Sequence, residues 1–430
     1  MSKTIIIIGA GLAGLSAALQ AAENGCNVKL VSSLPSERAQ SVMAEGGINA
    51  ALNTKDENDS PEEHFTDTIK AACGLADPNA VWGMTQAAPE LVHWLLKLGV
   101  KFNISGYDDV DLRNFGGQKK KRTAFAQSDT GKQIMTAMID AVRRKEASGM
   151  VERFSHHSFL TLRLCGNICC GCVIRDEYSQ ETVELPGDAV IVATGGMHGL
   201  FGNTTGSLSN TGEVTAELFR LGVPLANGEM IQYHPTTVKC GGKRMLISEA
   251  ARGEGGRLFA MKDGKQWYFM EEKYPELGNL MPRDITAREI WKVSHESEVF
   301  LDMTEISEEI ISNKLSGLAD DCMTYLHKDI RKEPVSVLPG IHYFMGGILV
   351  DEQHRTPIQN LCAAGECCAQ YHGANRLGGN SLLGALYGGR VAAKSACEQA
   401  DVVDLSCATQ IDFPPASQIS EIKQLNKVMQ

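Results

Sequence analysis

The sequence predicts an α/β fold that opens with a strand, a glycine-rich turn, a helix and a second strand. Residues 4–8 (TIIII) form an apolar run suited to a buried parallel strand. Gly9, Gly11 and Gly14 follow at once in a G-x-G-x-x-G pattern, which leads into an Ala/Leu-rich helical stretch, and residues 27–31 form a second apolar run. In this order of elements the glycine pattern indicates a dinucleotide-binding site.

The end of the second predicted strand departs from that pattern. An acidic residue that binds a ribose hydroxyl usually stands there, whereas this chain has Ser32 and Ser33. The ribose contact is therefore unassigned from the sequence. Residues 187–196 add a second cofactor signal, an apolar strand whose closing turn includes Thr194 and Gly195, and this turn can close over the same pyrophosphate region.

Length and charge narrow the class of protein. A chain of 430 residues is expected to form two or three domains with sizeable cores. Lys and Arg number 41 against 52 Asp and Glu, a net charge of −11 that gives no indication of nucleic acid or of an anionic membrane surface as a partner. No run of about 18 apolar residues exists, so no direct membrane span is expected. The apolar N-terminus is interpreted as structural rather than as a signal peptide, because its removal would destroy the glycine turn.

Thirteen cysteines include one tight cluster, Cys165, Cys169, Cys170 and Cys172. Its spacing fits neither a ferredoxin nor a zinc ribbon. The alternation around it predicts a β-hairpin in which cysteine serves as a small apolar residue, and no metal site is predicted. So many thiols favour a reducing compartment, and the predicted localisation is cytoplasmic.

Seven polar residues in five later segments are candidates for chemistry. They are His234, Ser248, Glu249, Arg252, Arg283, His342 and Arg376. Glu249 and Arg252 are three residues apart and share one face of a helical turn. Arg283 follows a proline that opens a predicted helix. Arg376 lies in a glycine-rich turn, where a guanidinium can bind a carboxylate with two parallel hydrogen bonds. Taken singly, the two histidines are better explained as core residues, and Arg252 and Arg283 as ordinary ion-pair partners.

Together, five segments resemble the flavoprotein of succinate dehydrogenase and fumarate reductase, and its relative L-aspartate oxidase. In chain order they are GAGLAGLSAAL, AEGGINAAL, QYHPT with SEAARGEGG, IHYFMGGI with AAGE, and HGANRLGGNSLL. The resemblance implies an α/β architecture in which a Rossmann-like FAD-binding domain is interrupted by a smaller α+β capping domain. The implied limits are 1–237 and 341–415 for the FAD-binding domain, 238–340 for the capping domain, and 416–430 for the start of a truncated or absent C-terminal helical domain.

The resemblance also implies the chemistry, hydride transfer between flavin N5 and a C4 dicarboxylate such as fumarate or succinate. Arg283 would donate the proton, resupplied through Glu249 and Arg252. The implied substrate-binding residues are His234, Ser248, His342, Arg376 and Phe115. The implied FAD-binding residues are Gly9, Gly11, Gly14, Ser32, Gln40, Ser41, Gly46, Gly47, Thr194, Gly195, Glu366, Ser381, Leu382 and Leu383.

Two departures from the family pattern bear on function. Gln40 occupies the position of the histidine that binds FAD covalently in the membrane-complex members, so FAD is expected to be non-covalent and reduction of the substrate is favoured. Phe115 stands where L-aspartate oxidases have the glutamate that meets the substrate ammonium, which argues against aspartate. The segment 128–131 is nearer in length to the oxidase form, so L-aspartate oxidase stays the alternative. A third hypothesis is a flavin-binding electron-transfer module without turnover.

The family also implies a partner. An iron–sulfur or other electron-transfer protein would exchange electrons with the flavin, and the chain would lie at the inner face of the membrane only through that partner. The electron source itself is not identified by the sequence.

Overall fold

The computed structural model describes residues 2–106 and 109–399. The predicted start of a C-terminal helical domain, 416–430, and the end of the second FAD-binding segment, 400–415, lie outside the described residues. The helices are α1 (Leu12–Glu23), α2 (Pro61–Ala71), α3 (Pro78–Leu98), α4 (Thr130–Ala147), α5 (Glu213–Arg220), α6 (Glu249–Gly253), α7 (Phe269–Lys273), α8 (Arg283–Val293), α9 (Glu308–Lys314), α10 (Ser316–Asp321) and α11 (Asn380–Gln399).

The strands are mostly short, and the longest belong to two antiparallel sheets. In chain order they are β1 (Thr4–Ile8), β2 (Asn27–Ser32), β3 (Ile48–Asn49), β4 (Ile104–Ser105), β5 (Asp109–Val110), β6 (Leu112–Arg113), β7 (Thr123–Ala124), β8 (Val151–Ser155), β9 (His157–Cys165), β10 (Ile168–Asp176), β11 (Thr182–Pro186), β12 (Ala189–Val192), β13 (Leu225–Ala226), β14 (Ile231–Cys240), β15 (Lys243–Leu246), β16 (Arg257–Lys262), β17 (Lys265–Trp267), β18 (Val299–Asp302), β19 (Val335–Ser336), β20 (Leu338–Phe344), β21 (Gly347–Leu349), β22 (Leu361–Ala363) and β23 (Cys368–Ala369).

A five-stranded parallel sheet, in the order β22-β12-β1-β2-β8, carries the N-terminal unit. Successive side chains of a strand point to opposite faces. Accordingly Ile5 and Ile7 of β1 lie in the core shared with α1, α4 and α11, whereas Ile6 and Ile8 lie in a second core on the other face. Because a hydrophobic core covers each face of the sheet, every residue of β1 after Thr4 is apolar. The α/β fold predicted from the N-terminal pattern is confirmed.

The cysteine cluster lies in the predicted hairpin, where β9 and β10 pair in antiparallel fashion. Cys169 and Cys172 are fully buried free thiols in the core that this hairpin shares with the parallel sheet, and Cys170 is also free and buried. Cys165 is the exception because it is disulfide-bonded. Among residues 2–106 and 109–399, no group of three or more His, Cys, Asp or Glu side chains is arranged to hold a metal ion.

A separate hydrophobic core lies within residues 247–337, around the sheet β17-β16-β18-β19, and Phe115 joins it from the N-terminal part of the chain. Strands β14 and β20 pair with each other and run across the sequence-based limits of the capping domain at 237/238 and 340/341. The division into domains at those residues stays a prediction. In the described part of the chain, no helix is long and apolar enough to cross a membrane.

Replacing Gly14 tests the packing of the first turn of α1. A Cβ at Gly14 would lie 1.8 Å from the carbonyl oxygen of Gly9, which is backbone and cannot rotate away. We expect Gly14→Ala to lower the free energy of unfolding by about 1–3 kcal/mol, the usual cost of overpacking, in equilibrium urea unfolding. The matched control is Gly228→Ala, because a Cβ at Gly228 meets nothing within 4 Å. Equal stabilities of the two variants would contradict this account of the turn.

Candidate active site

A cavity of about 1020 Å³ runs from the glycine turn at the carboxyl edge of the parallel sheet to the arginines of the later segments. Its lining includes Gly9 and Gly11 at one end and Arg283 and Arg376 at the other. Pockets for single drug-sized ligands measure about 300–1,000 Å³. The volume is therefore sufficient for a dinucleotide with a small substrate beside it.

The glycine turn has the shape that a bound pyrophosphate requires. A Cβ at Gly9 would lie 2.2 Å from the carbonyl oxygen of Ala193, so this glycine is required by packing within the protein. Gly11 differs, since a Cβ there would have its nearest atoms, in Ala39 and Ser41, at 3.8 Å. Its missing side chain instead leaves room on the cavity side, next to the N-terminus of α1, where backbone N–H groups and the helix dipole favour an anion.

Most of the residues expected at FAD do line this cavity. They are Gly9, Gly11, Ser32, Gln40, Ser41, Gly46, Gly47, Thr194, Gly195, Glu366, Ser381 and Leu382. Gly14 and Leu383 do not line it. Gly14 packs against the backbone of Gly9, and Leu383 is fully buried in the hydrophobic core beside the sheet. The structure places these two residues in packing contacts behind the cavity wall.

Glu249 lies at the centre of the opposite end of the cavity. Its Oε2 accepts hydrogen bonds from Nε and Nη2 of Arg283 at 2.8 and 2.6 Å, and its Oε1 accepts one from the backbone N–H of Gly116 at 3.1 Å. Nη2 of Arg252 lies 3.4 Å from Oε1, as the three-residue spacing predicted. Burial alone would raise the pKa of Glu249, but Arg283 and Arg252 together hold it below its ordinary value. Arg252 stands behind Glu249 and outside the cavity lining.

Gln232 connects this cluster to the turn of Arg376. Its Oε1 accepts a hydrogen bond from Nη1 of Arg283 at 3.1 Å, and its Nε2 donates to the carbonyl oxygen of Arg376 at 2.7 Å. The same Nε2 donates to Oδ1 of Asn375 at 2.8 Å. Gln232 was not predicted as a site residue from the sequence, although it stands two residues before His234 in a segment that carries the resemblance.

Arg376 is a buried guanidinium that faces the cavity. It lies 4.4 Å from the ring centroid of Tyr343, and its Nε is buried without a hydrogen-bond partner. Burial, and then the neighbouring Arg283, lowers the pKa of Arg376 to about 9, which leaves the group positively charged at neutral pH. No carboxylate in the described part of the chain lies within ion-pair distance of it. Such a group is suited to an anionic ligand.

Two neutral histidines stand beside these arginines. The rings of His234 and His342 meet edge to face, with centroids 5.1 Å apart. Nδ1 of His342 hydrogen-bonds Oγ1 of Thr205 at 2.8 Å, and Nδ1 of His234 lies 3.1 Å from the carbonyl oxygen of Thr236. Burial, reinforced by Arg283, lowers the pKa values of both histidines well below the ordinary range. They can therefore hydrogen-bond a ligand without adding charge.

Ser248 and Glu45 form the side of the cavity next to the histidines. Ser248 is the N-cap of α6, with its Oγ 3.4 Å from the backbone N–H of Ala250. Glu45, which was not predicted from the sequence, is half-buried, with its Oε2 enclosed and without a hydrogen-bond partner. Burial, and then the charge of Asp321, raises the pKa of Glu45 to about 8, while the hydroxyl of Ser248 lowers it. Glu45 is therefore a neutral acid at pH 7.

Glu366 and Phe115 complete the cavity wall. Oε1 of Glu366 accepts a hydrogen bond from the backbone N–H of Phe344 at 3.0 Å and lies 3.0 Å from Nε2 of His198, so its carboxylate is fixed. The ring of Phe115 fits between two glycine turns, because a Cβ at Gly46 would lie 2.8 Å from it. Phe115 thus presents an apolar surface where the resemblance places the glutamate of the oxidases.

Comparison with known proteins agrees with this geometry. Residues 4–382 match the FAD binding domain family. The chain is 44% identical over 413 residues to the succinate dehydrogenase flavoprotein subunit of Bacillus subtilis (strain 168), a match that covers 94% of this chain and 70% of that protein. The chain belongs to the succinate dehydrogenase and fumarate reductase flavoprotein family.

Other relatives of this flavoprotein support the same assignment. The 8-methylmenaquinol:fumarate reductase flavoprotein subunit of Wolinella succinogenes is 33% identical over 439 residues, which cover 99% of this chain and 70% of the relative. A solved structure of an E. coli quinol fumarate reductase variant is 30% identical and superposes with a TM-score of 0.88, covering 99% of this chain and 74% of that one. FAD is accordingly the cofactor of this flavoprotein family, and the cavity residues of this chain fit it.

Replacing Glu45 tests its protonation in the folded state. Because the folded-state pKa is about 8 and the ordinary value is 4.5, the folded state binds the proton more tightly, and its stability falls as the pH rises from 4.5 to 8. Glutamine resembles the protonated carboxyl. We expect Glu45→Gln to change stability little at pH 5 and to raise it by several kcal/mol at pH 8, since one pKa unit corresponds to about 1.4 kcal/mol.

Equilibrium urea unfolding at the two pH values measures this difference. Glu276→Gln is the matched control, because Glu276 is exposed and its substitution is expected to act equally at both pH values. A Glu45→Gln effect that is the same at pH 5 and pH 8 would contradict a neutral Glu45.

Proposed function

We propose that this chain is an FAD-dependent enzyme that interconverts fumarate and succinate. The observation that carries the proposal is the buried Glu249 carboxylate between Arg283 and Arg252, at the end of a cavity that begins at a dinucleotide-binding turn. The two negative charges and the small size of a dicarboxylate match the unpaired Arg376 and the space beside the histidines. The names of the relatives from Bacillus subtilis and Wolinella succinogenes support the same substrate pair.

Substrate binding needs groups for two carboxylates. Arg376 and His342 would bind one carboxylate, and His234 with Ser248 would bind the other. The positive charge of Arg283 repels that of Arg376 in the free protein and, after burial, is the next cause of the lowered pKa of Arg376. A dianionic substrate offsets this repulsion, and the neutral histidines donate hydrogen bonds without competing for the charge.

Arg283 would supply the proton. Its side chain carries five N–H bonds, of which Nε and one bond of each terminal nitrogen are used by Glu249 and Gln232. One N–H bond on Nη1 and one on Nη2 remain available to a ligand. An arginine acid is unusual because its intrinsic pKa exceeds 12, but it can act when the carbon that receives the proton is strongly basic and a neighbouring carboxylate returns the proton. Glu249, backed by Arg252, is in the position to return it.

FAD, when bound, supplies or accepts the hydride in this reaction. The glycine turn and the N-terminus of α1 would hold its pyrophosphate, and Glu366 with Leu382 would lie along the remainder of the cofactor. Gln40 lines the cavity at the position where the family pattern carries the histidine of the covalent bond. A glutamine amide does not form that bond, so the proposal includes non-covalent FAD.

Electrons would reach the cofactor through a partner protein. The relatives are named as flavoprotein subunits, which supports an electron-transfer partner, of iron–sulfur or another type, and any attachment to a membrane would run through that partner.

Turnover with artificial electron carriers tests the function without the partner. Fumarate-dependent oxidation of a reduced viologen dye, measured anaerobically, is the expected result. Oxygen consumption with L-aspartate, in the absence of fumarate-dependent turnover, would instead make the chain an L-aspartate oxidase and would contradict the role given to Phe115. FAD in the protein with neither activity would support an electron-transfer module.

Replacing Arg283 tests the proton donor. We expect Arg283→Gln to lower kcat for fumarate reduction by at least about 10²–10⁴-fold, the usual contribution of a positioned acid, while FAD stays bound. The matched control is Arg288→Gln on the same helix, because Arg288 is 61% exposed and pairs only loosely with Asp284, at 3.8 Å. Near-normal turnover in Arg283→Gln would remove Arg283 as the acid.

Acid precipitation tests the mode of FAD attachment. We expect all flavin absorbance to appear in the supernatant, because Gln40 does not bond to the cofactor. Flavin that stays with the precipitated protein would contradict the non-covalent proposal.

A further inference from the structure

Arg244 resembles Arg376 in having no acidic partner, although it lies in the wall of the cavity. It belongs to β15, lines the cavity, and is only 8% exposed. No carboxylate of residues 2–106 and 109–399 forms an ion pair with it, and burial is the only cause of its lowered pKa. The proposed mechanism does not use this side chain. A buried charge without a counter-charge is unfavourable, so Arg244 is suited to an anionic ligand.

A glycine in β20 leaves room for Arg244 beside His234. In the antiparallel pair of β14 and β20, His234 lies opposite Gly340. A Cβ at Gly340 would lie 2.6 Å from Cδ of Arg244, so the arginine stem fills the space that a side chain at residue 340 would take. Residues directly opposite each other present their side chains on the same face, with Cβ atoms about 4.5–5.5 Å apart. The stem of Arg244 therefore lies next to the side chain of His234, which also lines the cavity.

The hydrogen bonds of Arg244 use two of the three nitrogens of its guanidinium. Nε donates to Oγ1 of Thr237, and Nη2 donates to the carbonyl oxygens of Thr237 at 3.1 Å and of Leu338 at 3.5 Å. Nη1 has no hydrogen-bond partner in the part of the chain that the structure describes. The guanidinium is thus fixed to both β14 and β20, and the two N–H bonds of Nη1 are left for a ligand. A carboxylate is the partner with which such a group forms strong, charge-assisted hydrogen bonds.

We propose that Arg244 binds a third carboxylate, on a substrate whose other two carboxylates lie in the site formed by His234 and Arg376. The inference rests on the proposed function, which places one carboxylate of the substrate at His234 with Ser248. A short arm that leaves the substrate beside His234 reaches the neighbouring Arg244. The ligand class is therefore a succinate or fumarate unit that carries one further arm ending in a carboxylate. An unbranched dicarboxylate leaves Arg244 unpaired.

Equilibrium dialysis of the FAD-loaded protein tests this site without turnover. The two probes are propane-1,2,3-tricarboxylate and 2-ethylsuccinate, which share a succinate unit and differ in whether the added arm ends in a carboxylate or in a methyl group. We expect the tricarboxylate to bind about tenfold more tightly, in the range of a hydrogen bond between charged groups. Arg244→Gln should remove this preference and leave the Kd of 2-ethylsuccinate nearly unchanged, a difference that a purely structural role of Arg244 would not produce.

Lys239→Gln is the matched control. Lys239 lies opposite Arg244 in the hairpin of β14 and β15, is exposed, and does not line the cavity. The substitution removes the same charge, so both Kd values should stay unchanged. If Arg244→Gln does not fold with FAD, Arg244→Lys takes its place: it has one nitrogen instead of three and should lose most of the preference. Equal binding of the two probes by the unsubstituted protein, or a full preference in the Arg244 variant, would overturn the proposal.

The outcome is separable from that of the proposed function. A preference for the tricarboxylate that depends on Arg244, in a protein that does not reduce fumarate, would support this inference while contradicting the function. Fumarate reduction by a protein that binds both probes equally would support the function and overturn the third-carboxylate site.

Discussion

The buried carboxylate of Glu249 lies between the guanidinium groups of Arg283 and Arg252, and the rest of this end of the cavity surrounds these two ion pairs. Removing one partner of a buried ion pair leaves an uncompensated charge and typically costs about 3–5 kcal/mol, whereas an apolar replacement of the whole cluster is often neutral or stabilising. Stability alone therefore does not explain the cluster. The contacts hold Arg283 in one orientation against a carboxylate, as the proposed proton transfer requires.

The surrounding turns are built to fit this contact. Gly116 donates its backbone N–H to Glu249, and a Cβ there would lie 2.6 Å from Oε1 of the carboxylate. The turn that follows Arg376 is held from behind, because the carbonyl oxygen of Gly378 accepts hydrogen bonds from Nδ2 of Asn49 and Nε2 of Gln118, both at 2.7 Å. Segments from distant parts of the chain thus meet at one site. The Glu249 carboxylate is therefore positioned by the turn at Gly116, and that turn has room for the carboxylate only because residue 116 is glycine.

The parts of the fold that depend on short-range pattern were predictable from the sequence. The strand, glycine turn, helix and strand at the N-terminus, the cysteine hairpin, and the helix that begins at Arg283 all follow from periodicity and capping, and Glu249 and Arg252 meet as their spacing requires. The roles of Gln232 and Glu45 were not predictable from periodicity, because they depend on contacts with residues far away in the chain.

Burial also separates residues that a motif treats alike. Gly11 faces the cavity, whereas Gly14 of the same motif serves helix packing, a distinction that only the path of the backbone reveals. Leu382 and Leu383 both belong to the core beside the sheet, but only Leu382 also lines the cavity. The sequence motif predicts which segment approaches the cofactor, but the structure is needed to show which of its side chains line the cavity.

Steady-state fumarate reduction by Glu249→Gln, in protein that retains FAD, tests the central role of Glu249 most directly. Glutamine keeps the shape of the side chain and removes the charge that orients Arg283 and that, in the proposed mechanism, reprotonates it. The account predicts a fall in kcat of at least about tenfold with KM for fumarate nearly unchanged, because Glu249 acts through Arg283 and not on the substrate carboxylates. A rise in KM with kcat unchanged would contradict it and would make Glu249 a determinant of substrate binding instead.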